Sequence, residues 1–210
     1  MNKSLLIAIL AMTFAGNAFA AADRTGAVDL GMQVAYVSPS EDDDLDSGVY
    51  YGGTFAYGMN SWLAIGAEAG RFEMDDDSVQ AAGFSGGEVT GVPVLFDVLL
   101  RFSEVHPSVD PYLIGGVGAI FWDVDEVTGT VAGIPVTVET DVDTAFAAKL
   151  GGGIDWFITE NWILNFEASY VFTSADAEAT VTGGGVTATA LASDIELDYW
   201  TVGGGFKYKF

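Results

Sequence analysis

The strongest constraint on the fold is an alternation of apolar with other residues at a period of two. In segment 92–102, Val92, Val94, Phe96, Val98, Leu100 and Phe102 alternate with Pro93, Leu95, Asp97, Leu99 and Arg101. Successive side chains of a β-strand point to opposite faces, so this pattern predicts strands with one apolar face. The alternation also marks 28–36, 146–156, 164–172 and 200–210 and, more weakly, 48–57, 61–72 and 111–122. Because no stretch has comparable helical periodicity, the sequence predicts an all-β fold.

The connections between these eight segments alternate in length. Those at 58–60, 103–110 and 157–161 are short, whereas those at 38–47, 73–91, 123–143 and 173–195 are long. Tilted strands of about ten residues cross a bilayer, and outer-membrane barrels join them by short periplasmic turns and long external loops. The sequence therefore predicts an eight-stranded antiparallel transmembrane β-barrel with short periplasmic turns and long extracellular loops, placed in a Gram-negative cell outer membrane.

Two of the long connections contain alternating segments of their own. These lie at 131–140 and at 177–191, the second around Gly183-Gly184-Gly185. We expect them to extend the flanking strands as hairpins beyond the membrane. A barrel of ten strands is the alternative.

The composition is strongly acidic and yet rich in apolar residues. The chain has 210 residues, with 30 acidic against 7 basic ones, a net charge of -23, and half of its residues hydrophobic. Most of the acidic residues fall in the long connections, where water can solvate them. So few basic residues exclude a cationic surface for nucleic acid, and the lack of cysteine excludes thiolate metal sites and disulfides.

Aromatic residues are frequent at both ends of the predicted strands. Rings with a polar edge favour the headgroup level of a bilayer, so two aromatic belts are expected in a membrane barrel. The predicted turn-side belt contains Tyr57, Trp62, Phe102, Tyr112, Trp156, Trp162, Tyr208 and Phe210, and the loop-side belt contains Tyr36, Phe72, Phe121, Trp122, Phe172 and Trp200.

The first twenty residues have the features of a secretory signal peptide. Lys3 is followed by an apolar run at 5–15 and then by the small-x-small site Asn17-Ala18-Phe19-Ala20. The apolar run is shorter than the roughly 20 residues that a membrane-spanning helix needs. We therefore predict that residues 1–20 are cleaved and that 21–210 form the barrel domain. Cleavage after Ala22 and a buried first helix are the alternatives.

Several motifs in the second half of the chain resemble those of known outer-membrane proteins. The last residues, Gly205-Phe206-Lys207-Tyr208-Lys209-Phe210, resemble the C-terminal signal by which such barrels are recognised for insertion. The chain is also similar to the outer-membrane protein W family and its eight-stranded relatives, in the stretches Val109-Asp110-Pro111-Tyr112-Leu113-Ile114-Gly115-Gly116-Val117-Gly118, Gly151-Gly152-Gly153-Ile154-Asp155-Trp156-Phe157, Glu160-Asn161-Trp162-Ile163-Leu164-Asn165 with Tyr170, and from Asp198-Tyr199-Trp200 to the end.

The resemblance implies a narrow channel for small, often hydrophobic molecules. It further implies that Gly205, Phe206, Tyr208 and Phe210 form the membrane-insertion signal read by the barrel-assembly machinery, with periplasmic chaperones as earlier partners. Outer-membrane lipid and lipopolysaccharide surround such a barrel, and small solutes are the remaining partner class. One departure is Ser169, which stands where relatives often carry a bulky inward residue before the tyrosine.

The inward-facing positions of the predicted strands carry polar and charged residues. The lumen-lining candidates are Asp29, Gln33, Glu68, Asp97, Arg101, Lys149, Asp155, Glu167 and Ser169, and Lys207 and Lys209 share their parity. A small barrel has little room beyond its own side chains, and buried charges must be paired. We expect Asp97 and Glu167 to neutralise Arg101 and Lys149. A turn at 157–161 would set Lys149 opposite Ser169, with Glu167 diagonal, which predicts a Lys149–Glu167 pair.

The state of the lumen separates two functional hypotheses. A continuous path of small or apolar residues would favour a narrow channel for small, hydrophobic molecules. An unbroken layer of Arg101, Lys149 and carboxylates would favour a structural or surface-interaction barrel that is plugged and acts through its acidic extracellular loops.

No pattern in the sequence predicts an enzyme, a cofactor or a dedicated metal site. Gly83-Phe84-Ser85-Gly86-Gly87 matches the G-x-S-x-G pattern of serine hydrolases, but His106, the chain's single histidine, belongs to a turn at the opposite rim. The glycine clusters lack the lysine and the following helix of phosphate loops. The acidic runs at 41–46 and 75–77 lack the ligand spacing of an EF-hand, which favours a solvated or lipopolysaccharide-bridging face.

Overall fold

The computed structural model describes residues 24–40, 45–74, 79, 84–103, 106 and 108–210. The predicted signal peptide and both predicted cleavage sites lie outside the described residues, as do positions 41–44 and 75–77 of the acidic runs. Within the described part of the chain, no helix is both long enough and apolar enough to cross a membrane.

Eleven β-strands account for nearly all of the described residues. They are β1 (Val28–Pro39), β2 (Gly48–Gly58), β3 (Leu63–Met74), β4 (Val89–Arg101), β5 (Val109–Val124), β6 (Val127–Val131), β7 (Ile134–Val142), β8 (Ala145–Phe157), β9 (Trp162–Gly183), β10 (Val186–Glu196) and β11 (Tyr199–Lys209).

Eight of these strands form a closed antiparallel barrel. Strands β1 to β5 pair in chain order, β5 pairs with β8, and β8 pairs with β9. Strand β11 closes the ring because it pairs with β9 on one side and with β1 on the other. The predicted eight-stranded barrel is confirmed, with short turns at one end and long loops at the other, and the ten-strand alternative is wrong.

The three remaining strands extend the barrel wall on the loop side. Strand β9 runs for 22 residues, and its upper half pairs with β10 on one edge and with β7 on the other. Strand β6 pairs with β7 through the turn at Ala132 and Gly133. The hairpins predicted at 131–140 and 177–191 are therefore present. The turn between β9 and β10 uses Gly184 and Gly185 at φ of 59° and 82°, which favours glycine.

The period of two sorts the side chains between the two faces of the barrel wall. The outer face carries exposed apolar side chains such as Met32, Phe96 and Phe146, which are 78%, 67% and 68% exposed. A contiguous apolar belt of this kind is stable against lipid. The belt prediction is wrong for Phe72 and Tyr112, which are buried in the interior because they share the inward parity of Glu68 and Asp110. It is also wrong for Trp122, which packs against the interior apolar cluster and the Phe72 ring.

Candidate functional site: the barrel lumen and the loop-side pocket

Three layers of side chains fill the lumen from the turn end to the loop end. The turn-side layer consists of Arg24, Asp29, Arg101, Asp110, Asp155 and Lys207. The middle layer consists of Glu68, Asp97, Lys149 and Glu167. The loop-side layer is apolar and consists of Ala35, Val37, Tyr50, Phe72, Met74, Leu95, Ile120, Ala147, Val171 and Tyr199.

The turn-side layer is a network of ion pairs centred on buried carboxylates. Arg24 donates from Nη1 to Asp155 Oδ2 at 2.7 Å and to Asp110 Oδ2 at 3.1 Å, and its Nη2 donates to Asp29. Arg101 Nη2 also donates to Asp29 Oδ2, at 3.0 Å. This layer joins residues from the chain before β1 and from β1, β4, β5, β8 and β11 across the barrel mouth.

The middle layer has one cation among three carboxylates. Lys149 Nζ lies 2.7 Å from Glu68 Oε2, 3.2 Å from Asp97 Oδ1 and 3.6 Å from Glu167 Oε1. Lys149 and the carboxylates come from β3, β4, β8 and β9, so the layer connects opposite walls. Desolvated charges persist in such a place only when they are paired, which makes Lys149 the organising residue of the layer.

Hydrogen bonds join the turn-side layer to the middle layer. Asn165 Nδ2 donates to Asp155 Oδ1 at 2.9 Å and to the Tyr112 hydroxyl at 2.8 Å. The Tyr112 hydroxyl in turn donates to Glu167 Oε2 at 2.7 Å. The two charged layers therefore form one connected polar network.

The structure corrects the predicted partners of the two lumen cations. Lys149 does contact Glu167, but Glu68 is its nearest carboxylate. Arg101 is paired with Asp29 and not with Asp97. Asp97 lies four residues along the same strand, about 13 Å away at 3.3 Å per residue, and belongs to the middle layer.

The predicted register between β8 and β9 is wrong by two residues. Lys149 lies opposite Val171, and Ser169 lies opposite Gly151. Phe157 pairs with Ile163, so the turn is centred one residue later than predicted, and Trp162 N donates to the Thr159 side-chain oxygen at 3.0 Å. Glu167, which lies opposite Gly153, nevertheless reaches Lys149, with its Oε1 at 3.6 Å from Nζ.

The other lumen candidates occupy the edges of these layers. Ser169 is buried, and its hydroxyl lies 2.7 Å from that of Thr201, while Gln33 is half-buried beside Tyr50. One cavity of about 20 Å³ lies between the turn-side and middle layers, and another of about 10 Å³ lies between the middle and loop-side layers. Each has room for about one water molecule. The side chains thus occupy the lumen along its axis.

An apolar pocket of about 620 Å³ lies at the loop end of the barrel. All four long loops contribute to its lining, through side chains that include Leu45, Phe84, Trp122, Val138, Ile195 and Leu197. Leu45 and Trp122 also pack against the loop-side layer, so the pocket rests directly on the apolar end of the filled lumen. Sequence reasoning missed this pocket because its lining residues are scattered over loops without a common period.

The residues of the serine hydrolase pattern are not brought near the histidine. Ser85 pairs with Thr128 at the loop end, and His106 pairs with Val109 in the turn before β5. Strand β4, with 13 residues, separates them by about 40 Å at 3.3 Å per residue. Among the described residues no group of three or more histidine, aspartate or glutamate side chains is arranged to hold a metal ion.

A closed ring of eight antiparallel strands with an apolar outer face and a charged interior defines a transmembrane barrel of the outer membrane. The model of the outer membrane protein beta-barrel domain family matches residues 6–210, and the chain belongs to this family. The expected resemblance to small eight-stranded outer-membrane barrels and the outer-membrane location are thereby confirmed.

Known relatives and solved structures agree with this assignment. The uncharacterized outer-membrane protein y4mB of Sinorhizobium fredii is 26% identical over 135 residues, which are 63% of this chain and 53% of the relative. The chain thus spans about half the length of this curated relative. The fold resembles OprG of Pseudomonas aeruginosa, with a TM-score of 0.63, 16% identity and coverage of 89% and 97% of the two chains. The fold also resembles a major outer membrane protein of Thermus thermophilus, with a TM-score of 0.60 and 13% identity. The match covers 87% of this chain and 99% of that protein.

The C-terminal motif lies at the seam of the barrel. Phe206 and Phe210 point outward from β11, whereas Gly205 lies on the inward face opposite Gln33. The Phe210 amide donates to the Val28 carbonyl at 2.8 Å, so the last residue joins the first strand. We retain as a proposal that Gly205, Phe206, Tyr208 and Phe210 guide insertion. A chain ending at Lys209 that assembles in cells as fast as the intact chain would contradict it.

Proposed function

We propose that this protein is an outer-membrane barrel whose lumen is closed to solutes and which works at the outer surface, by binding a small apolar molecule in the loop-side pocket. The observation that supports this function is the position of an open apolar pocket on top of a lumen filled by two ion-paired layers and one apolar layer. The proposal thus follows the hypothesis of a plugged barrel that acts through its extracellular loops, and it adds a small apolar molecule as the ligand of those loops.

The pocket has the size and chemistry of a small-molecule site. Its volume of about 620 Å³ falls in the usual range for such sites, and apolar side chains dominate its lining. Burial of about 200 Å² of apolar ligand surface would contribute about 5 kcal/mol before the entropy costs of binding. Among the described lining residues, Thr140 carries the one hydroxyl and Trp122 the one other side-chain donor, so hydrogen bonds contribute little to selection.

The charge of the surrounding loops restricts the ligand further. Glu139, Asp141, Asp143, Asp176 and Glu178 lie on or beside the strands that carry the pocket. A negative field of this kind lowers the local concentration of anions. The preferred ligand is therefore a neutral or cationic apolar molecule and not a fatty acid anion.

The first prediction concerns ion conduction. The purified protein inserted in a planar lipid bilayer is expected to give no channel steps in sodium or potassium chloride, because the ion-paired layers leave no continuous water path along the axis. Insertion is verified in parallel by protease protection of the protein in vesicles. Reproducible single-channel steps from inserted protein would contradict the closed lumen.

The second prediction concerns the pocket. The uncharged dye N-phenylnaphthylamine is expected to bind the detergent-solubilised protein with one site and to quench tryptophan fluorescence, because Trp122 lines the pocket. Val138→Asp places a charge in the lining and is expected to weaken binding at least tenfold, about 1.4 kcal/mol.

The matched control is Val131→Asp, the same change at a half-exposed position at the end of β6. It is expected to leave dye binding unchanged. Equal losses in the two variants, or dye binding that follows detergent concentration and not protein concentration, would contradict a ligand site in the pocket.

A narrow channel for small hydrophobic molecules is the second candidate. One observation favours it: an apolar solute in the pocket meets the apolar loop-side layer before it meets any ion pair. Passage would require Leu45, Trp122 and the layer beneath them to move. Protein-dependent uptake of the dye into vesicles, without uptake of a polar solute of equal size, would favour this candidate over a closed barrel.

Lipid and lipopolysaccharide are the partners we propose for the outer wall and the acidic loops. The support is the exposed aromatic belt residues at both ends of the strands, which include Tyr36, Trp62, Trp162 and Trp200. Divalent cations would bridge acidic loops to lipopolysaccharide phosphates. Chelation of divalent cations that leaves lipopolysaccharide co-purification unchanged would contradict such bridging.

A further inference from the structure

The turn-side mouth of the barrel surrounds the guanidinium of Arg24 with carboxylates. Arg24 is 1% exposed and lies before the first strand, and Asp29, Asp110 and Asp155 approach it from β1, β5 and β8. All three carboxylates use their Oδ2 atoms for this contact. The Phe157 ring lies 5.4 Å from the guanidinium carbon and covers one side. Carboxylates thus surround the edge of the planar guanidinium cation, and an aromatic ring covers one of its faces.

The carboxylates are held in place by groups other than Arg24. Asp110 Oδ1 accepts a hydrogen bond from Ser103 at 3.0 Å, and Asp155 Oδ1 accepts one from Lys207 at 2.9 Å. Asp29 is held by Arg101 from β4. Each of the three carboxylates therefore has a partner besides the guanidinium, and we expect these partners to keep the carboxylates near their positions when Arg24 is shortened.

The backbone around Arg24 forms a cap across the mouth. Gly26, at φ of 76°, reverses the chain and donates from its amide to the Gly58 carbonyl at 2.7 Å. The Gly58 amide donates to the Ala27 carbonyl at 3.0 Å. A Cβ at position 58 would lie 1.9 Å from the Arg24 carbonyl oxygen, so glycine is required where the cap meets β2. Residues 24–27 are thus held against the end of β2 by backbone hydrogen bonds and by close packing on Gly58.

We propose that the turn-side mouth is a guanidinium-binding site, which the chain fills with its own Arg24. The site is built from Asp29, Asp110, Asp155 and Phe157, and residues 24–27 are the cap that delivers the ligand. The ligand class is a planar cation with several N–H donors, which carboxylates bind in the plane of the cation. A barrel without the Arg24 side chain binds a guanidinium compound from solution in its place. This inference does not depend on the loop-side pocket.

Chemical rescue of Arg24→Ala tests the site. The folded variant in detergent micelles is titrated with methylguanidinium chloride up to about 50 mM, far below denaturing guanidinium concentrations. At ten times its dissociation constant the ligand is expected to raise the melting temperature by roughly 3–5 °C. Sodium chloride at equal ionic strength is expected to have no such effect. Arg24→Ala/Asp110→Asn, which removes one carboxylate charge, is expected to lose most of the rescue.

Arg71→Ala is the matched control because Arg71 makes an exposed pair with Glu73 outside the lumen. Methylguanidinium is expected to leave the melting temperatures of this variant and of the intact protein unchanged. If Arg24→Ala fails to fold, methylguanidinium is expected to restore the folded fraction seen as heat-modifiable migration on gels. Absence of both kinds of rescue, or equal rescue of Arg71→Ala, would overturn the proposal.

Discussion

Lys149→Met is expected to lower the free energy of unfolding by about 3–5 kcal/mol, the usual cost of removing one partner from a buried ion pair. Lys149 is the sole cation in contact with Glu68, Asp97 and Glu167 among the described residues. Without it, three desolvated carboxylates repel one another with no cation to neutralise them. Methionine preserves most of the side-chain volume, so the loss reports charge and not packing.

Reversible unfolding in urea with detergent or lipid vesicles measures this effect. Arg71→Met is the matched control: Arg71 Nη2 lies 2.6 Å from Glu73, but the side chains are 46% and 44% exposed. Exposed pairs contribute about 0–1 kcal/mol. Lys149→Met/Glu68→Gln is expected to recover part of the loss because it neutralises the nearest carboxylate. Equal costs for Lys149→Met and Arg71→Met would show that the middle layer contributes no more than a surface pair.

The fold could be predicted because a barrel wall imposes one rule on every residue of a strand. Alternation in 92–102 placed Asp97 and Arg101 on one face and Phe96 on the other, and the structure has them so. The same period of two within the long connections also predicted the hairpins that they form. Local pattern was enough here because neighbouring strands repeat it and because β-strands can span a membrane only as a closed barrel.

The pairing inside the lumen could not be predicted with the same success. Contacts across a barrel depend on the stagger between strands, and a turn displaced by one residue moves every facing pair of β8 and β9 by two. Glu68, on the distant strand β3, became the nearest partner of Lys149, while Glu167 on the adjacent strand lies farther. Sequence fixes which face a side chain occupies, but the stagger decides which partner it meets.

Arg24 and Tyr112 show two other limits of sequence reasoning. Arg24 precedes the first strand, so no alternation marked it as an interior residue, although it is the centre of the turn-side layer. Tyr112 has the inward parity, yet its position near a strand end favoured the aromatic belt. For a residue of this kind the parity of the strand is the stronger signal, because it reports the direction of the side chain.

Phe72→Ala is expected to cost about 3–5 kcal/mol, as large-to-small changes in a close-packed interior do. Phe72 is fully buried, and its ring packs edge-on against Trp122 at 5.6 Å and tilted against Tyr199 at 5.0 Å. Phe146→Ala removes the same side chain from the lipid-facing wall, where lipid fills the space, and is expected to cost about 1–2 kcal/mol. Equal losses in the two variants would contradict an interior packed as tightly as that of a soluble protein.

The same variant also shows which layer closes the lumen. Loss of the Phe72 ring deepens the loop-side pocket toward Tyr199, so the dye is expected to bind Phe72→Ala at least as tightly as the intact protein. The protein is nevertheless expected to stay silent in a planar bilayer, because the ion pairs around Lys149 and Arg24 lie below and are untouched. Channel steps in Phe72→Ala would assign the seal to the apolar layer, and steps confined to Lys149→Met or Arg24→Ala would assign it to the charged layers.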